Sequence, residues 1–90
     1  MSRPQFTEQA WEEYMYWHAQ DKKTLKKINQ LIADIMRNGA LNGIGKPEPM
    51  KGEFQGYFSR RINAKDRLVY TILKGDVIEI YSCKDHYDDK

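Results

Sequence analysis

The sequence predicts an α+β fold, a single domain over residues 1–90, in which two antiparallel N-terminal helices pack on a twisted antiparallel β-sheet. Three observations predict it. Apolar residues recur at helical spacing in two segments before residue 39, each preceded by a capping side chain. Three runs rich in aromatic and β-branched residues follow residue 56, as strands do. Between the halves, residues 40–56 hold four glycines and two prolines and fit neither element. A chain of 90 residues has room for one modest core.

Taken in order, residues 3–6 can form a short strand, which Pro4 confines to an edge or a strand start. Thr7 then caps a helix over about residues 8–19, with Ala10, Trp11, Tyr14, Met15 and His18 as its apolar side. On that reading His18 sits at the edge of the core, and Trp11 and Trp17 pack. Asp21 caps a second helix, whose stripe of Leu25, Ile28, Leu31, Ile32 and Ile35 ends at Asn38-Gly39. Loops as long as residues 40–56 are functional or disordered in compact domains, and Lys46, Glu48 and Lys51 argue for function. Residues 57–63, 67–73 and 77–83 read as a meander. A three-residue connection of Ala64, Lys65 and Asp66 puts Phe58, Ile62, Leu68, Tyr70 and Ile72 on one face. Ser59, Arg61, Asn63 and Arg67 then share the other, with Arg61 and Arg67 side by side. Arg60 is the misfit: it falls on the apolar face and needs a partner or a rim position.

Composition excludes several classes. No apolar run approaches the roughly 20 residues of a membrane span, and the first residues lack the apolar stretch of a signal peptide, so the cytoplasm is expected. The lone Cys83 cannot form an internal disulfide and, in a strand without an activating neighbour, reads as a buried inert thiol. Net charge is only +2, but residues 46–67 carry six cations against three anions. Lys22, Lys23, Lys26 and Lys27 form a second cluster along the second helix, read first as a solvated face. Asp85, His86, Asp88 and Asp89 resemble metal ligands only superficially, because acids in a tail are more often solvated; neither metal nor other cofactor is expected.

What remains is a carboxylate between prolines (Glu48), paired strand arginines and a His-Tyr pair near the C-terminus. Each is weak alone. Together they meet the needs of RNA cleavage through the 2′-hydroxyl: a base for that proton, cations for the phosphorane charge, and an acid for the departing 5′-oxygen.

The blocks GIGKPEPMK, GYFSRRIN, DRLVYTI and YSCKDHY, with WEEYMYW and KKINQLI before them, resemble in order and spacing the YoeB/Txe family of toxins within the RelE superfamily. The resemblance runs from about Thr7 to Tyr87. It implies a RelE-like fold and a metal-independent endoribonuclease that cuts messenger RNA in the ribosomal decoding site. It implies Glu48 as general base, His86 as general acid, Arg67 as the main transition-state cation, and Tyr87 as a positioning residue. Lys46, Lys51 and Arg61 become the phosphate contacts. The implied partners are the ribosome with its message and an acidic, partly disordered YefM/Axe-like antitoxin, with a homodimer left open. The Lys22 to Lys27 ridge and the Arg61/Arg67 face are candidate docking surfaces for the antitoxin. Asp66 stands where the family usually has histidine, and Lys65 where it often has an acid. Two other functions compete: a ParE-like gyrase inhibitor without chemistry, and an RNA-binding module with Tyr57 and Phe58 as stacking platforms.

Overall fold

The computed structural model describes residues 4–85. In chain order the elements are β1 (Pro4–Phe6), α1 (Glu8–Gln20), α2 (Lys22–Asn38), β2 (Glu48–Pro49), a 3-10 turn (Gly52–Phe54), β3 (Phe58–Arg61), β4 (Arg67–Leu73) and β5 (Val77–Ser82). They form one five-stranded sheet in the order β1-β5-β4-β3-β2. Strands β3 to β5 pair antiparallel, as expected; β2, within the 40–56 segment read as a loop, adds an antiparallel strand to β3, and β1 joins β5 in parallel, so the sheet is mixed. The long excursion between β1 and β5 permits that pairing. Pro4 begins this edge strand, where its missing N–H costs no ladder bond. No helix among the described residues is long and apolar enough to cross a membrane.

Capping sets the helical layer. Thr7 Oγ1 accepts from the Ala10 N–H at 3.1 Å and donates to the Tyr81 carbonyl at 2.9 Å, which ties the start of α1 to β5. Asp21 closes α1 through its N–H to the Trp17 carbonyl (2.8 Å) and opens α2 by accepting from the Thr24 N–H (3.2 Å) and hydroxyl (2.7 Å). The bonds from Thr24 hold the Asp21 carboxyl below its ordinary range. A single residue thus serves both caps, and α1 folds back against α2. Gly39, at φ +90°, ends α2.

The buried side of α2 is the expected one: Ile28, Leu31, Ile32 and Ile35, with Leu25 packed against them. Helix α1 is rotated from expectation. Ala10 and Trp17 are buried and Tyr14 is half-buried, whereas Trp11, Met15 and His18 are exposed, so His18 is no core-edge histidine. Hydrogen bonds choose this face. The Trp17 indole N–H donates to the Cys83 carbonyl (2.9 Å), and a Glu13 carboxylate oxygen accepts from the Cys83 N–H (2.8 Å). Trp11 packs instead on Phe6 and Tyr14 at the surface.

The helices cover one face of the sheet, and Ile62, Leu68, Tyr70, Ile78, Ile80 and Cys83 complete the core there. The sequence assigned the two faces of the first hairpin correctly, but its connection is longer than three residues. Arg61 pairs directly with Arg67, and Ile62 to Asp66 make the turn. Asn63 closes it: its Oδ1 accepts from the Lys65 and Asp66 N–H groups at 2.8 and 2.7 Å.

Arg60 lies on the helix-facing side and is completely buried. Its five N–H donors have five acceptors: the Tyr70 hydroxyl, Asp34 Oδ2, and the carbonyls of Ile44, Gly39 and Asn42, at 2.5 to 3.0 Å. The misfit is therefore an anchor, fastening the loop after α2 to the middle of the sheet.

Candidate active site on the far face of the sheet

Strand alternation puts Glu48, Ser59, Arg61, Arg67 and Val69 on the face away from the helices, because Glu48 pairs with Ser59 and Arg61 with Arg67. Three adjacent strands thus bring together one carboxylate and two guanidinium groups expected from the sequence. Glu48 begins the two-residue strand Glu48–Pro49, with Pro47 before it, and prolines are tolerated at a sheet margin. The segment before it is fixed from below. The Gly45 carbonyl accepts from the Arg61 N–H at 2.7 Å, and a Cβ on Gly45 would come within 2.7 Å of a Leu31 methyl and 3.2 Å of Arg60 Cβ. Gly45, at φ +82°, and then Lys46, at φ +52°, turn the chain up to Glu48.

Two like charges directly opposite on a sheet repel, and among the described residues neither Arg61 nor Arg67 has a carboxylate partner. Such a pair is a candidate anion site. Arg67 is half-buried and aimed by its own turn, donating to the Asn63 and Asp66 carbonyls at 3.3 and 3.5 Å; Arg61 is exposed. Lys51 follows Glu48 by three residues and begins the 3-10 turn, exposed. Lys46 and Arg61 also line a recess of about 390 Å³ with Lys27, Gly45, Ile62, Asn63 and Ala64. The lysine ridge of α2 therefore reaches the site's rim through Lys27.

His86 and Tyr87 lie outside the described residues, as do Asp88 and Asp89. The chain leaves the described region beside Arg67, whose N–H donates to the Asp85 carbonyl at 3.0 Å. Among the described residues no three His, Cys, Asp or Glu side chains come together as metal ligands.

The structure adds features the sequence reading missed. Phe54, Tyr57 and Tyr81 meet edge-on, with ring centroids 5.5 to 6.3 Å apart, and Met50 and Val69 are buried outside the helix-side core. Tyr57 shares the parity of Ser59 and Arg61, a signal that was legible. Phe58 is not a stacking platform: it faces the helices and lies against Tyr70, ring centroids 5.8 Å apart. Asp66, nearly buried, accepts from the Asp85 N–H at 2.7 Å and from Asn63 Nδ2 at 3.1 Å, so both carboxylate oxygens are engaged in holding backbone and turn. Cys83, as expected from the sequence, is fully buried, with its Sγ near the Ala10 carbonyl. Burial, and then the charges of Glu13 and Asp66, push its thiol up to about 12, so it is inert as a nucleophile.

Two short helices on one face of a small sheet, with basic residues and one carboxylate on the other, define the RelE-like toxin fold. By fold alone the chain is similar to the RelBE2 toxin–antitoxin complex of Mycobacterium tuberculosis, with a TM-score of 0.70 over 94% of this chain and 98% of that one at 21% identity. The family is given by closer matches. The family described as "YoeB-like toxin of bacterial type II toxin-antitoxin system" matches residues 6–87. Toxin YoeB of Synechocystis is 52% identical over 91% of this chain and 93% of its own length. YoeB in a heterotetrameric YoeB-YefM complex from Staphylococcus aureus is 53% identical, with a TM-score of 0.89 over 97% of this chain and 99% of that one. A YoeB dimer from Staphylococcus aureus is also 53% identical, with a TM-score of 0.88 over 96% and 98%. The chain belongs to this YoeB-like family of type II toxins.

Proposed function

We propose that the protein is a ribosome-dependent endoribonuclease that halts translation by cutting messenger RNA in the decoding site. The observation that carries this reading is the convergence of Glu48, Arg61 and Arg67 on one face of three neighbouring strands. Glu48 takes the proton of the 2′-hydroxyl, and the 2′-oxygen attacks the adjacent phosphorus. Arg67, aided by Arg61, Lys46 and Lys51, stabilises the charge that grows on the phosphorane oxygens. The bond to the 5′-oxygen breaks, His86 gives that oxygen a proton, and Tyr87 positions the scissile nucleotide or the acid. The products are a 2′,3′-cyclic phosphate and a 5′-hydroxyl. Every charge in this scheme is met by a side chain, so no step calls for a metal.

The ribosome enters for a physical reason. In-line attack needs the 2′-oxygen, phosphorus and leaving oxygen nearly collinear, and holding reactants so is worth about 7–11 kcal/mol of barrier. An open sheet face with a few phosphate contacts cannot impose that geometry on a flexible strand. A host that bends the message can. As the Staphylococcus aureus relative is found with YefM and as a dimer, we assign this toxin a cognate YefM-like antitoxin, with self-association as the free form, acting in the cytoplasm as one domain.

Primer extension on a defined transcript with and without ribosomes, beside a gyrase supercoiling assay, tests the proposal. The expected result is cutting at a fixed codon phase on the ribosome and little on free RNA. Equal cutting of naked RNA removes the ribosome from the mechanism, and gyrase inhibition without cutting replaces the nuclease by a ParE-like inhibitor.

A further inference from the structure

We propose that Asp66 is a positioning residue, whose carboxylate holds the backbone of Asp85, the residue that precedes the proposed acid His86. This rests on the nuclease reading above, and on a clamp that the comparison with relatives does not supply.

Both backbone groups of Asp85 are held by the start of β4. Its N–H donates to Asp66 Oδ1 at 2.7 Å, and its carbonyl accepts from the Arg67 N–H at 3.0 Å. Asp85 sits at φ +69°, a left-handed conformation that a non-glycine residue keeps only when its surroundings enforce it. Those two bonds enforce it. Asp66 is itself fixed: only 4% exposed, it accepts from Asn63 Nδ2 at 3.1 Å, its N–H donates to Asn63 Oδ1 at 2.7 Å, and its carbonyl accepts from the Ile62 N–H at 3.0 Å. Among the described residues its carboxylate has no cationic partner. A nearly buried carboxylate held only by such bonds is costly unless they are made well. The residue that follows Asp85 is His86, the proposed acid. A displacement near 1 Å at a reacting group can cost about 10²-fold in rate, so a hold on the backbone just before the acid bears on the proton-transfer step.

The experiment compares Asp66→Ala and Asp66→Asn with wild type, each also in a His86→Ala background. Single-turnover cutting of ribosome-bound message and exchange of the Asp85 amide proton are measured, with melting temperature as the folding control. Asp66→Ala should lower the cutting rate constant roughly 10- to 100-fold with ribosome affinity unchanged, as expected for lost alignment. Asp66→Asn, which keeps an acceptor oxygen, should restore most of the rate. In the His86→Ala background Asp66→Ala should cost nothing further, because two residues serving one step are not additive. The Asp85 amide should be protected in wild type and Asp66→Asn and exchange freely in Asp66→Ala. A fall of equal size in both backgrounds, or one that tracks melting temperature, reduces Asp66 to a structural residue and overturns the proposal. An Asp85 amide indifferent to Asp66→Ala overturns the clamp itself. If wild type cuts no ribosome-bound message, the nuclease reading fails and takes the catalytic role of Asp66 with it, while the amide data still report the clamp separately.

Discussion

Replacing Arg60 by methionine keeps an unbranched apolar stem and removes five hydrogen bonds from the interior. Asp34 Oδ2 loses its guanidinium, the Ile44, Gly39 and Asn42 carbonyls lose donors, and the Tyr70 hydroxyl loses one neighbour. Breaking a buried ion pair from one side costs about 3–5 kcal/mol. The Asp34 side chain is 14% exposed and keeps the Ile44 N–H (3.0 Å) and Asn38 Nδ2 (2.8 Å), which points to the lower end, about 3 kcal/mol. A domain of this size is stable by about 5–15 kcal/mol, and each kcal/mol moves its melting point by about 4–8 °C, so a fall of about 12–24 °C is expected. Acid adds a signature. Burial raises the Asp34 carboxyl, but the bonds from Arg60, the Ile44 amide and Asn38 outweigh it and hold the group below its ordinary value of 3.8. A carboxyl depressed on folding contributes stability above its unfolded value and loses it as pH falls through the folded one. Urea unfolding followed by circular dichroism should therefore show the gap between wild type and Arg60→Met narrowing below about pH 4. A melting point within about 4 °C of wild type, or a gap unchanged into acid, would refute the anchoring role of Arg60. Partial recovery is expected in Arg60→Met/Asp34→Leu, where no carboxylate is left unpaired.

Glu48→Gln should lower cutting on the ribosome by roughly 10²- to 10⁴-fold with an unchanged melting point, since Glu48 is exposed and is the proposed base. Arg67→Lys should be crippling as well, because an ammonium cannot present guanidinium's planar fork to phosphate oxygens; normal rates for either variant would remove that residue from the mechanism. Cys83 should resist alkylation in the folded protein at pH 8 and react once urea unfolds it. Its thiol is raised on folding, so the stability tied to it is present below about pH 9 and declines as pH climbs toward 12, by about 1.4 kcal/mol per pH unit. Cys83→Ala should flatten that alkaline decline, and an identical slope in the two proteins would rule the thiol out as its source.

Legibility of the fold followed the kind of force that made each element. The stripe of α2, the capping by Thr7 and Asp21, and the two faces of the β3–β4 hairpin depend on local spacing and on apolar burial, and the sequence carried both. Helix α1 failed by a fraction of a turn because its face is chosen by Trp17 and Glu13 reaching the backbone of Cys83, more than 60 residues away in the chain. Periodicity weighs Trp11 and Trp17 alike and has no view of that carbonyl. The parallel pairing of β1 is likewise a long-range event. In the site, the shared face of Arg61 and Arg67 was legible because alternation fixes the face once the hairpin is set. Glu48, by contrast, was read in a loop and its place beside Ser59 on that face came only with β2, and Asp66 looked like a turn acid until its bond to Asp85 was seen.

Neighbouring arginines show how narrowly function and stability are divided in so small a chain. Arg60 and Arg61 are identical in charge and shape, and alternation sends one to each face. On the helix side every donor of Arg60 finds a protein acceptor, so its charge is spent on the fold and is unavailable to a ligand. On the other side Arg61 is exposed opposite Arg67, and an anion bound there, as proposed for the RNA phosphate, would relieve the repulsion between them. A one-residue slip of β3 against β4 would exchange these environments, leaving Asp34 unpaired and the anion site with one guanidinium. Anchoring by Arg60 thus protects register as well as stability: the bonds that hold the loop before Glu48 to the sheet also keep Arg61 across from Arg67. Loss of Arg60 should for that reason reduce cutting by more than the fraction of unfolded protein accounts for, whereas loss of Arg61 should leave the melting point near wild type.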